Sequence, residues 1–276
     1  MDNETLDDYL EKKGLTKKEL NKIIKVKSTP QPKLNQRVKL DTDSKTVYFG
    51  VISDTHMGHN KYRPDVLKHA KKKFDAEGIE FILHAGDICE GMSGRDGHIY
   101  ELQYQGASNQ LDYATEQLSQ FEQPMYGITA NDSHDGWFHS KANMGLDVGT
   151  ELERRLPNFN FIGNDEADVI TDAGMMIRLV HPGGGTAYAI SYKAQKYANS
   201  LSGGQKPHLV FEGHYHKALY MFYRNMHMFE AGCLEDQTIF MKKQGTPAMV
   251  GYWIIKATGT KKGVTEIEPK FIPFYE

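Results

Sequence analysis

Side chains that bind metal ions recur in short clusters along this sequence. Asp54 and His56 stand two residues apart, Asp87 follows a glycine, and His214 and His216 again stand two residues apart. Imidazole and carboxylate donors together suit manganese, iron, zinc or nickel better than magnesium or calcium alone. Two such ions about 3.5–4 Å apart lower the pKa of a bound water and clamp a phosphoryl group for in-line attack. The chemistry that these residues predict is metal-assisted hydrolysis.

The first two clusters come after stretches that predict buried strands. The apolar run Val47–Ile52 ends just before Asp54, and Ile79–His84 ends just before Asp87. Between them, 64–77 has apolar residues on one helical face and stops at Gly78. Strand, helix and strand in this order predict a right-handed crossover with parallel strands. Asp54, His56 and Asp87 are therefore expected at one sheet edge, where ligands bind in open α/β sheets.

Later apolar runs carry further candidates at their ends. Strands are predicted at 124–129, before Asn131, at 176–180, before His181, and at 207–211, before His214. The alternating stretches 251–257 and 265–274 predict antiparallel strands that close a second sheet.

Composition sets the broad class. The chain has 276 residues, 39% hydrophobic and 25% charged, which is ordinary for a soluble globular protein. Its acidic, polar N-terminus predicts no signal peptide, and two cysteines without metal-site spacing predict a reducing, cytoplasmic location. The net charge of −3 gives the whole chain no nucleic-acid footprint.

The N-terminal segment has its own charge pattern. Between Lys12 and Lys39 there are ten lysines and arginines and one acidic residue, Glu19. We predict a helical, basic N-terminal extension with linker over 1–45 and a catalytic domain over 46–276. The basic segment is either a solvated face with a tether or an appendage that binds nucleic acid or a partner.

In their order, the clusters resemble the motifs of the calcineurin-like metallophosphoesterase superfamily. The matching blocks are Asp54-Thr-His56, Gly86-Asp87, Asn131 to Asp135, His181 and Gly213-His214-Tyr-His216. The resemblance covers about residues 46–276 and implies an α/β fold, a four-layer αββα sandwich with a dinuclear metal site. It also implies that Asp54, His56 and His216 hold one metal, that Asn131, His181 and His214 hold the other, and that Asp87 bridges them.

The third block departs from the family pattern. Where the family has G-N-H-D, this sequence has Ala130-Asn131-Asp132-Ser133-His134-Asp135, with two extra residues. We favour Asn131 as the ligand, with Asp132 or Ser133 as alternatives. His134 is the expected catalytic histidine, which stabilises transition-state charge or protonates the leaving alkoxide, and Asp135 is expected to orient it.

The residues after the second predicted strand narrow the class of substrate. The chain has Gly86-Asp-Ile-Cys-Glu-Gly-Met92, whereas protein phosphatases of the superfamily carry G-D-x-V-D-R-G. A Gly-rich loop over 91–106 with Arg95, Tyr100 and Tyr104 favours a nucleotide or nucleic-acid substrate. His59, Arg95 and His98 are the expected substrate contacts.

We therefore predict a phosphodiesterase with two divalent metal ions. Mn²⁺ is the expected metal, and Fe, Zn or Ni are the alternatives. Nuclease activity is the leading version, the expected partner is a phosphoester substrate, and no membrane partner is expected. Phosphomonoesterase activity on small molecules or nucleotides is the alternative. A protein of another class, a metal-binding scaffold with a degenerate site, is the further alternative that the altered third block raises.

Overall fold

A computed structural model describes residues 36–42, 44–139 and 145–275, except for the side chain of Gln205, together with Lys13, Gly14, Thr16 and Lys17. The chain divides into two compact units, Met1–Gln31 and Pro32–Glu276. All of the strands and helices named here belong to the second unit. The predicted N-terminal helices lie outside the described residues, and the division of the chain at residue 45 stays a prediction.

The second unit contains twelve described strands and five α-helices. The strands are β1 (Gln36–Lys39), β2 (Thr46–Ile52), β3 (Phe81–His84), β4 (Met125–Thr129), β5 (Phe159–Asn164), β6 (Glu166–Ile170), β7 (Met176–Val180), β8 (Leu209–Glu212), β9 (Ala218–Tyr223), β10 (Met226–Ala231), β11 (Gly251–Thr260) and β12 (Gly263–Pro273). The helices are α1 (Pro64–Ala76), α2 (Ala107–Leu118), α3 (Val148–Arg155), α4 (Tyr192–Ser200) and α5 (Ile239–Gln244), and short 3₁₀ turns cover His98–Glu101, Asp135–Trp137 and Gly203–Gln205.

The strands form two six-stranded sheets. The first has the order β12-β11-β2-β3-β4-β5, and the second has the order β1-β6-β7-β8-β10-β9. β2, β3, β4 and β5 are parallel, as the crossover through α1 predicts. In the second sheet β7, β8 and β10 are also mutually parallel.

Three apolar clusters show how the layers stack. One packs side chains of α1, α2 and α3 against the outer face of the first sheet. The second joins the inner faces of the two sheets, and the third packs α4 against the outer face of the second sheet. This is a helix–sheet–sheet–helix arrangement, so the predicted αββα sandwich is confirmed.

Alternation along β2 places this strand between two layers. Val47, Phe49 and Val51 point to the cluster between the sheets, where they are fully buried. Gly50 faces the opposite way, and a Cβ there would lie 2.4 Å from the ring of Phe74 on α1. The glycine therefore lets α1 pack directly on the strand that precedes Asp54.

The C-terminal strands differ from the expectation. β11 pairs antiparallel with β2 and β12 pairs antiparallel with β11, so both extend the first sheet and do not close the second. The second sheet is completed by the β9–β10 hairpin and by β1, which pairs with β6. These three strands are not among those predicted from the sequence. For β1 the reason is that it is a short polar segment (QRVK) at an edge, with mostly exposed side chains.

In the part of the chain that the structure describes, no helix combines the length and the apolar character needed to cross a bilayer.

Candidate metal centre

The candidate ligands lie where strands of both sheets end. Asp54 and His56 follow β2 and Asp87 follows β3 in the first sheet, whereas His181 follows β7 and the His214–His216 pair follows β8 in the second. Backbone hydrogen bonds tie these ends together. Asp54 N–H donates to Gly86 O (3.0 Å), and His56 N–H donates to Asp87 O (3.1 Å). The site therefore straddles the two sheets at one edge of the sandwich.

Five of these residues have a left-handed backbone. The φ angles are 48° at Asp54 and His56, 49° at Asp87, 77° at His214 and 52° at His216. Residues other than glycine seldom adopt positive φ, and each such residue costs on the order of 1–3 kcal/mol unless the surroundings hold it. Such strain concentrates at active sites and ligand clamps. The concentration of strain at these five positions is an independent sign of a functional site.

Two glycines of the motifs make room for His181. At Gly86, whose φ is 97°, an added Cβ would lie 2.4 Å from Nδ1 of the His181 ring. At Gly213 a Cβ would lie 2.6 Å from the carbonyl oxygen of Ala85 and 2.8 Å from the same Nδ1. The glycine before Asp87 and the glycine before His214 are thus required for the approach of the two sheets at this edge.

Gly86→Ala should displace His181 and weaken metal binding on that side of the site. The new methyl group clashes with the ring, and the positive φ adds strain. We expect metal affinity to fall about 10- to 100-fold, as for a lost orienting contact, measured by calorimetric titration with Mn²⁺. Gly94→Ala, in open space and with no positive φ, is the matched control. Equal affinities for the two variants would contradict this role of Gly86.

The first cluster consists of Asp54, His56 and His216, whose donor atoms all lie within 4.8 Å of one another. Nε2 of His216 lies 3.0 Å from Nε2 of His56 and 3.4 Å from Oδ1 of Asp54. His56 Nδ1 lies 2.7 Å from Oε2 of Glu90. When Nδ1–H donates to this carboxylate, the lone pair of Nε2 is left for a metal.

The second cluster consists of Asp87, His181 and His214. His181 Nδ1–H donates to the carbonyl of Ala85 (2.8 Å), which directs Nε2 toward Asp87 Oδ2 at 3.0 Å. His214 Nε2 lies 2.7 Å from the carbonyl oxygen of Gly184, which leaves Nδ1 as its donor atom. Each histidine is held through one ring nitrogen and offers the other, the arrangement typical of metal-binding histidines.

The two carboxylates are ionised. Burial raises the pKa of Asp54, but the hydrogen bond and charge of His216 outweigh it and lower the pKa to about 2. Burial opposes ionisation of Asp87 too, yet the charges of His181 and His134 hold its pKa well below the usual range. Asp87 Oδ1 is buried and has no hydrogen-bond partner among the described residues. An ionised, buried oxygen of this kind, beside oriented imidazoles, fits divalent metal ions such as manganese, iron, zinc or nickel.

In the third motif block, Asn131 and Ser133 contact different carboxylates. The side-chain amide of Asn131 donates to Asp165 Oδ2 (2.7 Å), and its backbone N–H donates to Oδ1 of the same carboxylate. Ser133 Oγ–H instead donates to Asp87 Oδ2 (2.7 Å). Ser133, one of the alternatives open from the sequence, thus contacts the predicted bridging carboxylate, and the assignment of the ligand in this block stays a prediction.

His134 lies beside the first cluster, with its ring centre 4.3 Å from that of His56. Its Nδ1 is 2.8 Å from the carbonyl oxygen of Glu90 and 3.1 Å from Oε2 of that residue. Burial lowers the pKa of His134, but the charges of Glu90 and Asp87 raise it to about 10. Asp135 accepts hydrogen bonds from the backbone N–H groups of Ile88 (3.1 Å) and Cys89 (2.9 Å), and so fixes the loop after β3. The residue that contacts the ring of His134 is Glu90.

Glu90 belongs to the site although it is not among the residues predicted from the sequence. Its carboxylate is buried and contacts three imidazoles, those of His56, His134 and His98. It completes a third set of potential donors with His56 and His134. Its position three residues after Asp87, where the protein-phosphatase pattern G-D-x-V-D-R-G has the shorter carboxylate Asp, is the only sequence signal for it.

The three expected substrate contacts have different surroundings. His59 is buried and ion-pairs with Glu235 (2.9 Å), itself buried; burial lowers the pKa of His59, and Glu235 raises it above its ordinary value. His98 is buried behind Glu90, with Nε2 at 2.6 Å from Oε1. Arg95 is partly exposed and lines the cavity over the metal clusters, as do His59 and Glu235.

Comparison with known proteins gives distant relatives. No protein-family model matches the chain. It is 21% identical over 244 residues to proteins named DNA polymerase II small subunit from two strains of Halobacterium salinarum, a match that covers 76% of this chain and 48% of each relative. The chain thus spans about half the length of the curated relatives it matches.

Several solved structures are also similar. A protein described as a novel archaeal phosphodiesterase is 15% identical (TM-score 0.47), and the match covers 82% of this chain and 100% of that one. The phosphoesterase Yfce from E. coli is 13% identical (TM-score 0.43; 80% and 98% covered). Zinc-bound Vps29 from Entamoeba histolytica is 11% identical (TM-score 0.40; 83% and 100% covered).

The order of the motifs in this chain resembles that of the calcineurin-like metallophosphoesterases, and the described residues adopt the αββα sandwich that this resemblance implies. The order of its motifs, the αββα sandwich and the position of the candidate ligands at the strand ends agree with one another.

Proposed function

We propose that this chain is a metal-dependent phosphodiesterase, with two divalent ions held by the clusters around Asp54 and Asp87. The observation that carries the proposal is the pairing of two clusters of three donors each at one sandwich edge, on loops with left-handed backbones. Asp87 is buried and contacts both His181 and Ser133 through Oδ2, so that Oδ1 is left for a metal ion. Mn²⁺ is the first choice of metal, because the donors mix imidazole and carboxylate groups.

When bound, the ions supply an activated water and neutralise phosphoryl charge. The chain's own residues hold the geometry. Glu90 fixes the rings of His56 and His134, and Ala85 and Gly184 fix those of His181 and His214 through their carbonyl oxygens. His134 is suited to stabilise charge on the phosphate or to give a proton to the leaving oxygen, since Glu90 favours its protonated form.

Nuclease activity is the version of this proposal that we favour. Its support is the basic segment between Lys12 and Lys39, the Arg95-containing loop beside the clusters, and the similarity to proteins named as subunits of a DNA polymerase. Aromatic side chains stack bases and cationic side chains hold phosphates in proteins that bind single strands.

The proposal is tested by assaying purified protein on bis-(p-nitrophenyl) phosphate and p-nitrophenyl phosphate, with Mn²⁺ and with a chelator. Diester hydrolysis that depends on the metal is the expected result, followed by assays on single-stranded DNA and RNA. Hydrolysis of the monoester alone would replace the diesterase proposal with a phosphomonoesterase.

One observation favours a second candidate, a metal-binding scaffold without turnover. The third block carries two residues more than the family pattern, and Asn131, its expected ligand, is held by Asp165 through its amide nitrogen. Metal content separates the two candidates. Fewer than two ions per chain, with no hydrolysis of either ester in Mn²⁺, would favour the scaffold.

A further inference from the structure

The cavity over the metal clusters is larger than the reacting groups need. Its volume is about 980 Å³, at the upper end of the range of small-molecule sites. His56, Asp87, His214 and His216 of the two clusters line one part of it, here called the floor, and a phosphoryl group with two ions fills a small part of the volume. The remaining space can receive a second, larger part of the substrate.

Two other chain segments form the walls. One is α5, which contributes Phe240 and Met241, and the other is the loop after β7, which contributes Tyr188 and Ile190. The loop is fixed at two points, because Lys217 Nζ donates to Ala187 O (2.6 Å) and the His214 ring bonds to Gly184 O. Its side of the cavity is therefore preformed.

Arg95 and Phe240 form a stacked pair on this wall. The guanidinium carbon lies 4.9 Å from the centre of the Phe240 ring, within the range of a cation–π contact. Glu101 holds Arg95 from behind through an ion pair of 2.5 Å. Phe240 lines the cavity and keeps 49% of its surface exposed, so Arg95 does not cover the whole side chain.

We propose that Arg95 and Phe240 are a stacking subsite for a nucleobase of the substrate, whose phosphodiester lies at the metal clusters. The inference rests on the proposed function and narrows it to nucleotide-containing diesters. A flat aromatic base gains from stacking on a ring and on a guanidinium plane, and this gain is independent of base identity.

The polar groups on the same walls favour a base over an acyl chain. Ser93, Thr186 and Gln244 line the same cavity as the Arg95–Phe240 pair. A base presents donors and acceptors at its edge that can pair with such groups. An acyl chain would remove them and the Arg95 cation from water with nothing in exchange, which costs free energy for each unpaired polar group.

The test compares a diester that contains a nucleoside with a diester that contains none. The thymidine 5′-(p-nitrophenyl) phosphate diester carries a base, and methyl p-nitrophenyl phosphate does not. Phe240→Leu should raise KM for the thymidine diester about 5- to 150-fold, the range of one lost base stack, and should leave KM for the methyl diester unchanged. Phe240→Tyr, which keeps the ring, should retain the wild-type KM. Phe222→Ala, which removes another exposed ring on β9, is the matched control.

A binding measurement keeps the test independent of turnover. An oligonucleotide with 2-aminopurine, whose fluorescence is quenched by stacking, is titrated against the wild type, Phe240→Leu and Phe222→Ala in Mn²⁺. Loss of quenching in Phe240→Leu alone supports the subsite, whether or not the diesters are hydrolysed. Absence of hydrolysis would overturn the proposed function and not the subsite. The subsite is overturned if all three proteins behave equally in both assays. It is also overturned if an acyl-chain phosphodiester displaces the oligonucleotide more strongly than thymidine nucleotides do.

Discussion

Asp87→Asn should abolish metal-dependent hydrolysis while the chain still folds. The substitution keeps the shape and the acceptor for Ser133 but removes the buried negative charge that faces His181. A bound metal supplies several kcal/mol of transition-state stabilisation, and each 1.36 kcal/mol is a factor of ten, so kcat should fall on the order of a thousandfold or more.

Metal analysis and circular dichroism accompany the kinetics of Asp87→Asn. We expect a native spectrum and fewer bound ions per chain than in the wild type. Asp112→Asn is the matched control, since that carboxylate is exposed on α2 and pairs with Arg155. Full activity and unchanged metal content in Asp87→Asn would mean that Asp87 does not bridge the two clusters.

Glu90→Gln should lower both metal affinity and activity, although Glu90 lies outside the motif set. The carboxylate fixes Nδ1 of His56 and contacts His134 and His98. Loss of a group that orients a ligand histidine typically costs about 10- to 100-fold in metal affinity or activity. Calorimetric titration with Mn²⁺ and steady-state kinetics measure the two effects.

The pH profile of Glu90→Gln separates orientation from simple loss of packing. The charge of Glu90 raises the pKa of His134, so the protonated imidazole persists to higher pH than it otherwise would. Removing that charge lowers the pKa, and an activity that needs protonated His134 should lose its alkaline limb at lower pH than the wild type. Bound cations lower this pKa in both proteins, so the comparison is of two metal-loaded forms.

Glu151→Gln is the control for the Glu90 experiments, because Glu151 lies on α3 and pairs with Arg154. It should match the wild type in metal affinity, kcat and pH profile. If Glu90→Gln matches it in all three, Glu90 is a structural residue without influence on the site.

The sequence predicts most of the donor positions for one physical reason, whereas the four-layer sandwich is what the family resemblance implies. Apolar runs with abrupt ends indicate buried parallel strands, and such strands bring their carboxyl ends to one edge. The positions of Asp54 and Asp87 are predicted in this way from β2 and β3. Those of His181 and His214 are predicted from β7 and β8.

The remainder depends on contacts between segments that are distant in sequence. Glu90 becomes notable only when the β3 loop places it against His56, His134 and His98. The two extra residues of the third block give no sequence signal that Asn131 pairs with Asp165 while Ser133 reaches Asp87. Strand β1 escapes prediction because its pairing with β6 comes from the backbone, with little apolar pattern.

The position of the site across both sheets has a consequence for the order of folding. Asp54 accepts from the backbone of His214, 160 residues further along the chain, and His181 donates to Ala85 across 96 residues. Contacts of such long range form late, because the loops between them must first be closed. The newly made chain therefore has to close its sandwich before the full donor set exists. Metal loading is then a maturation step of the folded protein, in contrast to small zinc domains, whose folding the ion itself drives.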